Sequence, residues 1–348
     1  MNNRKSPTGG GKRPKSAAKY DRPFAGRSAW AITDGKAGME IQVVGVAGAL
    51  GVDFDIKRVN PQGLWRLLAP WGPLDPRECF GRPDGPFSPP WPEIAIATGR
   101  LAIPALRAVR KASPETFTVI IQDPRTGAGS ADLIAVPQHD RLVGDNVIHT
   151  LTAPNAFSPD RLFALRKKPP ADIAALSGKR VAVVLGGPNA IYRFPDTAIG
   201  ALAGSLRSLA KHKTSFLITA SRRTPATLLE AVRAAIGEAP HILWDGEGEN
   251  PYERFLALGD IFVVTADSVN MTGEACATGR PVYVFEPDGG SAKFSRFHEA
   301  LRRYGATRAL PERFERLETW SYAPLDSAHE IAREVEKRWT AKLESLAR

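Results

Sequence analysis

The 348-residue chain is poor in cysteine, histidine and aromatic residues, and it has no long hydrophobic run. Its two cysteines, Cys79 and Cys276, exclude a disulfide framework and a four-cysteine zinc site. The six histidines include no pair at metal-ligand spacing, so we expect no metal site. No apolar stretch reaches the roughly 18 residues of a transmembrane helix. The 43% of hydrophobic residues suits a folded protein whose length predicts two domains.

Most of the net charge of +10 lies at the N-terminus. Residues 1–28 hold eight basic residues and one acid, Asp21, so this segment carries +7 of the +10 and leaves +3 for the rest. Such a balanced body does not fit a nucleic-acid-binding domain, and we expect no nucleic-acid partner. Residues 1–27 are predicted to be a disordered basic tail. Attachment of this tail to an anionic membrane surface and a role as a transit peptide stay open.

Short apolar runs alternate with amphipathic segments in two stretches of the chain. Residues 28–155 predict six strands, and residues 180–305 predict five more. Strands separated by helices form βαβ units with parallel sheets. The fold class is therefore α/β, with two Rossmann-like doubly wound domains. Residues 156–179 are predicted to link the domains, and residues 306–348 to form a C-terminal helical extension.

Polar residues follow the first two strands of the second domain. Gly186 and Gly187 can present amide groups to an anion, although a tight turn explains them equally well. Arg222 and Arg223 precede a helix that starts near Pro225, where a bound phosphate would use both guanidinium groups. Pairing of these arginines with surface carboxylates is the alternative.

The strongest local pattern follows the apolar strand Ile261–Thr265. Either Asp267 or Ser268 can cap the next helix, whose first amide groups are then free for phosphate. Glu274 lies one to two turns inside this helix, where a carboxylate can accept two hydrogen bonds from a ribose diol. A solvated helix carboxylate is the alternative for Glu274.

Four blocks of sequence resemble the mitochondrial fission factor family of plants, known for an elongated-mitochondria phenotype, and its proteobacterial relatives. The blocks are Asp34-Gly35-Lys36-Ala37-Gly38 with Gln42, Ser221-Arg222-Arg223-Thr224-Pro225, Trp244-Asp245-Gly246 with Asn250-Pro251-Tyr252, and Asp267-Ser268-Val269-Asn270-Met271. The last block also resembles the nucleotide-sugar half of GT-B glycosyltransferases. This resemblance implies a GT-B arrangement of the two domains, in which the glutamate holds ribose and the helix N-terminus holds the diphosphate. The nucleotide- and phosphate-binding residues that it implies are Gly186, Gly187, Arg222, Arg223, Asp267, Ser268, Asn270, Met271 and Glu274.

The same resemblance implies that the first domain faces the acceptor. Asp34 would act as a general base on an acceptor hydroxyl, and Lys36 would attract a phosphate or an anionic acceptor. A turn in which Asp34 caps the helix is the alternative. The residues expected on the acceptor side are Gly38, Arg100, Asp123 and His139. For His139 the alternative is a loop histidine whose hydrogen bonds are satisfied within the protein.

These features predict a metal-independent, nucleotide-sugar-dependent glycosyltransferase that acts on an envelope or membrane-associated acceptor. The nucleotide sugar is then a donor substrate, and no separate cofactor is expected. We expect a cytoplasmic protein that lies at the periphery of the inner membrane if the tail binds lipid. The alternative is a non-catalytic scaffold that recruits a partner, since the plant members of the family are known for recruiting a dynamin-like division protein.

Overall fold

The computed structural model describes residues 24–83, 85–138 and 140–346, without the side chain of residue 346. The predicted basic tail lies outside the described residues except for its last four, and so does His139. No helix in the described part of the chain is long and apolar enough to cross a membrane.

The first domain is built on a sheet of six parallel strands. They are β1 (Ser28–Thr33), β2 (Asp53–Arg58), β3 (Ile94–Thr98), β4 (Phe117–Ile121), β5 (Leu133–Pro137) and β6 (Val147–Thr150), in the order β2-β1-β3-β4-β5-β6. Its helices are α1 (Ala37–Leu50), α2 (Gly63–Leu68) and α3 (Ile103–Ala112). Every residue of β3 and β4 is buried, because helices cover both faces of the sheet, and such strands are apolar along their whole length.

The second domain repeats this plan with six more parallel strands. They are β7 (Lys179–Leu185), β9 (Thr214–Ala220), β10 (His241–Trp244), β11 (Ile261–Thr265), β12 (Val282–Phe285) and β14 (Thr307–Ala309), in the order β10-β9-β7-β11-β12-β14. The short strands β8 (Tyr192–Arg193) and β13 (Asp288–Gly289) form an antiparallel pair beside it. The helices are α6 (Asp196–Ala210), α7 (Ala226–Ile236), α8 (Tyr252–Leu258), α9 (Val269–Cys276) and α10 (Ala292–Tyr304). The predicted α/β class with two doubly wound domains is confirmed.

Two segments join the domains. The first contains α4 (Pro159–Arg166) and α5 (Ala171–Ala174), and α4 packs on α8. The second follows β14 and ends in α11 (Ser327–Leu346), which packs on α1 of the first domain. Ile331, Ala332 and Val335 of α11 lie in the core of the first domain, since they form the apolar face of this helix. The region expected as one helical extension therefore contributes a strand to the second sheet and a helix to the first domain.

The folded body begins earlier than expected. Phe24 is buried, and its ring meets that of Trp339 edge-on with 5.2 Å between the ring centroids. The guanidinium group of Arg27 bonds to Glu93 at 2.5 Å and lies 4.1 Å above the Trp339 ring. Residues 24–27, which the sequence places in the tail, are thus part of the first domain.

Candidate functional site

Each sheet has a topological switch point, where the strand order reverses its direction of growth. In the first sheet this point lies between β1 and β3, and in the second between β7 and β11. The pairing of Val184 with Val264 aligns the carboxyl ends of β7 and β11 at one edge. Open α/β sheets bind their ligands in the crevice at such a point. The loops that follow these four strands are therefore the candidate site.

The two switch points face each other across the domain boundary. A Cβ atom built on Gly38, after β1, would lie only 3.1 Å from Nδ2 of Asn270, after β11. A Cβ atom on Gly273 of α9 would likewise lie 3.1 Å from Cβ of Thr152, which follows β6. The first two turns of α9 thus rest on the first domain, and the cleft between the domains opens at the start of this helix.

An ion pair closes the cleft on a second side. Nζ of Lys293, at the start of α10, lies 2.8 Å from Oδ1 of Asp140, which follows β5 in the other domain. His298, one turn further along α10, is buried, and its Nε2 lies 3.1 Å from the carbonyl oxygen of Ala266, just before α9. Burial lowers the pKa of His298, so this imidazole is held neutral behind the site.

A cavity of about 320 Å³ lies at the switch point of the first sheet. Its charged lining comprises two carboxylates and four cations, which are Asp34, Asp123, Lys36, Arg66, Arg100 and Arg125. The Asp34 side chain is only 5% exposed, and Oδ2 lies 2.5 Å from Nζ of Lys36. The excess of positive charge suits an anionic ligand.

The alternative role of Asp34 as a helix cap is not observed. Lys36 occupies the N-cap position of α1, and its side chain makes no cap hydrogen bond. Asp34 instead accepts a hydrogen bond of 3.3 Å from the Lys36 amide, across a turn at Gly35 with φ of +76°. A positive φ of this kind favours glycine. The turn directs the Asp34 carboxylate toward the cavity.

Hydrogen bonds fix the floor and rim of this cavity. Oε1 of the buried Gln42 accepts a bond of 3.0 Å from Nε2 of Gln122, which follows β4. Oδ1 of Asp123 accepts a bond of 2.8 Å from the Arg125 amide, and Arg100 donates to the carbonyl oxygen of Ala69. Asp123 and Arg100, both expected on the acceptor side, therefore line one cavity with Asp34.

Asp267 organises the switch point of the second sheet. Its fully buried carboxylate accepts hydrogen bonds from Thr265 Oγ1 at 2.7 Å, from the Gly187 amide at 3.1 Å and from Arg223 Nη2 at 3.0 Å. The Gly186 amide donates to Thr265 Oγ1 at 2.8 Å. Because both glycine amides are bonded inside the protein, they are not free for an anion, which corrects the role expected of Gly186, Gly187 and Asp267. A Cβ atom on Gly186 would lie 2.1 Å from the Asp267 carboxylate, so close packing requires this glycine.

The two arginines after β9 have different environments. Arg223 is paired with Asp267, whereas the exposed Arg222 has no acidic partner among residues 24–83, 85–138 and 140–346. The hydroxyl of Thr224 donates to the carbonyl oxygen of Gly186 at 2.7 Å. Only Arg222 is therefore available to a phosphate, and Arg223 positions the loop instead.

The N-terminus of α9 has free amide groups. Ser268 is its N-cap, and the hydroxyl accepts a bond of 3.4 Å from the Met271 amide. Met271 therefore has no free amide, and its side chain packs against the apolar core. The amides of Val269 and Asn270 have no acceptor among the residues that the structure describes. These two amides can bind phosphate oxygens.

Glu274 faces inward from α9 and is only 5% exposed, so it is not a solvated helix carboxylate. The Tyr252 hydroxyl donates a hydrogen bond of 2.5 Å to Oε2 of Glu274. Burial raises the pKa of Glu274 to about 7, and the bond from Tyr252 opposes this rise. The Tyr252 ring meets that of Phe157 edge-on with 5.7 Å between centroids. A ribose would have to compete with the Tyr252 hydroxyl for this carboxylate.

The sequence of this chain matches one protein family over most of its length. A model of the family described as "Mitochondrial fission ELM1" matches residues 37–339. The mitochondrial fission protein ELM1 of Arabidopsis thaliana is 32% identical over 280 residues, which cover 73% of this chain and 66% of that protein. The chain belongs to this family. This match spans just under two thirds of the plant relative's length. An uncharacterized protein of Rickettsia prowazekii is 31% identical over 156 residues, which cover 43% of this chain and 44% of that protein.

A solved structure supports the arrangement of the two domains. The spinosyn forosaminyltransferase SpnP has a TM-score of 0.51 to this chain at 12% identity, covering 92% of this chain and 99% of that one. At this identity the likeness shows the fold alone. The family resemblance drawn from the four sequence blocks is confirmed, and so is the GT-B arrangement of two Rossmann-like domains.

Sequence reasoning missed several residues of the site. Arg66 reaches the cavity from inside α2, beyond the loop that follows β2, so the strand-end rule does not find it. Tyr252 belongs to a recognised block, but its contact with Glu274 joins two helices and leaves no local pattern. Thr265 ends an apolar strand, and its hydroxyl could have been noted as a polar group at the carboxyl end of β11.

Proposed function

We propose that the chain is a GT-B glycosyltransferase that transfers a sugar from a nucleotide sugar to an anionic, membrane-associated acceptor without a metal ion. One observation carries this proposal. The switch point with free helix amides and the switch point with a basic cavity meet at the contact of Asn270 with Gly38. A donor on one side and an acceptor on the other would then meet at the same contact.

On the donor side, the amides of Val269 and Asn270 would bind the diphosphate, with Arg222 as its cation. As the sugar leaves, negative charge grows on the diphosphate, and these fixed donors stabilise it. Glu274 would accept hydrogen bonds from the ribose diol once it is ionised and the Tyr252 hydroxyl has turned away. Nucleotide affinity should therefore rise with pH near 7, where Glu274 ionises.

On the acceptor side, Asp34 would remove the proton of the attacking hydroxyl, and the ion pair with Lys36 holds the carboxylate in place. The excess of cations around the cavity favours an acceptor that carries phosphate or carboxylate groups. Contact of the basic segment, residues 1–23, with an anionic membrane is part of this proposal and would bring the protein to such acceptors.

A thermal-shift screen of nucleotide sugars and nucleoside diphosphates tests the donor role. A ligand at 100 times its dissociation constant adds about 2.7 kcal/mol to the free energy of unfolding, which is a readily measured shift. A nucleotide sugar that binds should then be hydrolysed by the protein, or its sugar transferred to an acceptor, in the presence of a metal chelator. No shift with any nucleotide or nucleotide sugar would contradict the proposal.

Two arginine variants sharpen this test. Arg222→Gln should weaken binding of the diphosphate by about tenfold or more, because a charge-assisted hydrogen bond contributes about 1.5–3 kcal/mol. Arg207→Gln is the matched control, since this arginine is exposed on α6, outside the site. Equal losses in both variants would point to a general effect of charge and not to a phosphate contact.

A non-catalytic scaffold is the second candidate. The buried polar groups around Asp267 satisfy one another, and Glu274 is bonded to Tyr252, so neither carboxylate needs a ligand. The family carries the name of a mitochondrial fission protein and not of an enzyme, which supports this second candidate. A scaffold should bind its partner equally well when Asp34→Asn and Arg222→Gln are combined, whereas the enzyme should lose turnover.

A further inference from the structure

Four large apolar side chains are exposed on and just after α2. The exposed fraction is 63% for Leu64, 75% for Leu67, 41% for Leu68 and 60% for Trp71. The three leucines have i, i+3 and i+4 spacing, so they share one face of the short helix. A concentrated group of exposed apolar side chains marks an interaction surface. We call these four residues the α2 face.

The turn that carries Trp71 is held in place by hydrogen bonds. Arg107 donates to the carbonyl oxygens of Pro70 at 3.2 Å and of Trp71 at 3.0 Å. Nε1 of Trp71 donates to the carbonyl oxygen of Arg125 at 3.2 Å. The indole ring is therefore fixed in an exposed position by its own surroundings.

Positive charge surrounds the α2 face. An open groove of about 610 Å³ beside Trp71 is lined by Arg107, Arg110, Lys111, Thr126, Gly129 and Ser130. Arg110 lies 3.7 Å from Asp132, but Arg66 and Lys111 have no acidic partner within residues 24–83, 85–138 and 140–346. Within the same described residues, Arg107 bonds to carbonyl oxygens and has no acidic partner. Three of these four cations are thus free to pair with an external anion.

We propose that the α2 face and its basic groove dock the protein on an anionic lipid bilayer. The leucines and Trp71 would enter the boundary between headgroups and acyl chains, where tryptophan is favoured. Arg107, Lys111 and Arg66 would contact the lipid phosphates of the anionic surface. The positive sign of the groove disfavours the chain's own basic N-terminal segment as the occupant, since like charges repel.

The position of this surface also suits the cleft. Arg66 lies on α2 between the exposed leucines and lines the cavity that holds Asp34. Arg125, whose carbonyl oxygen accepts the bond from Trp71, lines the same cavity. A membrane-bound acceptor would therefore enter the cavity from the lipid side. This last step rests on the proposed function, whereas bilayer docking does not.

Co-sedimentation of the full chain with vesicles tests the docking without any nucleotide or turnover. Phosphatidylcholine vesicles with and without phosphatidylglycerol should be compared at low and high salt. Leu64→Gln combined with Leu67→Gln should raise the lipid concentration for half-binding about tenfold or more at both salt concentrations. Lys111→Gln should raise it about fivefold at low salt only, because salt screens exposed charges.

Matched variants and a second readout keep the test decisive. Phe163→Gln on α4, which packs on the second domain, and Lys211→Gln change exposed residues elsewhere and should bind like the wild-type chain. Brominated lipid should quench the indole fluorescence of the wild-type chain, and the quenched fraction should be smaller in Trp71→Phe. Equal vesicle binding by the wild-type chain and the double leucine variant at every salt concentration overturns the proposal. The proposal is also overturned, in favour of self-association, if the wild-type chain is a dimer that binds no vesicles and the double leucine variant is a monomer.

Discussion

At the scale of single residues, Glu274 is a carboxyl group in surroundings that oppose its charge. Burial raises its pKa from 4.5 to about 7, so the folded protein prefers the protonated form. Its contribution to stability is fully present below pH 4.5, where the folded and the unfolded chain are both protonated. That contribution is lost as the pH rises from 4.5 to about 7, because the unfolded chain ionises first.

Glu274→Gln removes this penalty and should become more stable relative to the wild-type chain as the pH rises. The difference in unfolding free energy should grow between roughly pH 5 and 8 and reach at most about 3 kcal/mol. Thermal melts of both proteins across this range measure it. Glu230→Gln, on the exposed surface of α7, is the control for the removal of a surface carboxyl group. A flat profile for Glu274→Gln would contradict the raised pKa.

Gly186 is required by contact and not by backbone conformation. A Cβ atom here would overlap the buried Asp267 carboxylate at 2.1 Å. Gly186→Ala should therefore destabilise the protein by about 1–3 kcal/mol, the cost of overpacking. Gly200→Ala is the control, since a Cβ atom on this α6 residue meets nothing within 4 Å. Gly200→Ala should raise the free energy of unfolding by roughly 0.5–1 kcal/mol. Denaturant unfolding measures both variants, and a Gly186→Ala protein as stable as the wild-type chain would contradict the close contact with Asp267.

At the scale of elements, the N-terminus of α9 combines stability with proposed binding. Ser268 and Ser158 are both N-caps whose hydroxyls accept a bond from a first-turn amide, in α9 and α4 respectively. Ser268→Ala and Ser158→Ala should each cost about 1 kcal/mol of stability. Only Ser268→Ala should also weaken binding of nucleoside diphosphates, since the cap holds the free amides in place. Calorimetry that finds the same affinity for both variants would remove α9 from the donor site.

Most elements could be predicted because their cause is local. Strands such as β3 and β11 are buried on both faces, so their apolar runs mark them directly. The three-residue β14 is too short to produce a pattern, and it forms only because β12 leaves an edge to pair with. The strand-end rule brought Asp34, Arg100 and Asp123 to one cavity. It could not reveal that partners distant in sequence occupy the amides of Gly186 and Gly187.

At the scale of the whole molecule, the C-terminal helix returns to the first domain. The last helix, α11, crosses from the second domain and completes the core of the first, where it meets residues 24–27. Lys342 of α11 lies 3.0 Å from Asp132 and donates to the carbonyl oxygen of Thr116. The last helix thus attaches the second domain to the core of the first through contacts between residues distant in sequence, which no local pattern could indicate.

Two truncated chains test the packing of residues 24–27 on α11. Deletion of residues 1–27 should leave a protein less stable than deletion of residues 1–23, because only the longer deletion removes Phe24 and Arg27 from Trp339. The difference should be about 3 kcal/mol or more, the usual cost of removing a buried phenylalanine side chain. Denaturant unfolding of the two truncated chains measures it directly. Adding Trp339→Ala to both truncated chains should reduce this difference in unfolding free energy, because the ring that Phe24 and Arg27 contact is then absent. Equal stability of the two truncated chains would contradict the packing of residues 24–27 on α11.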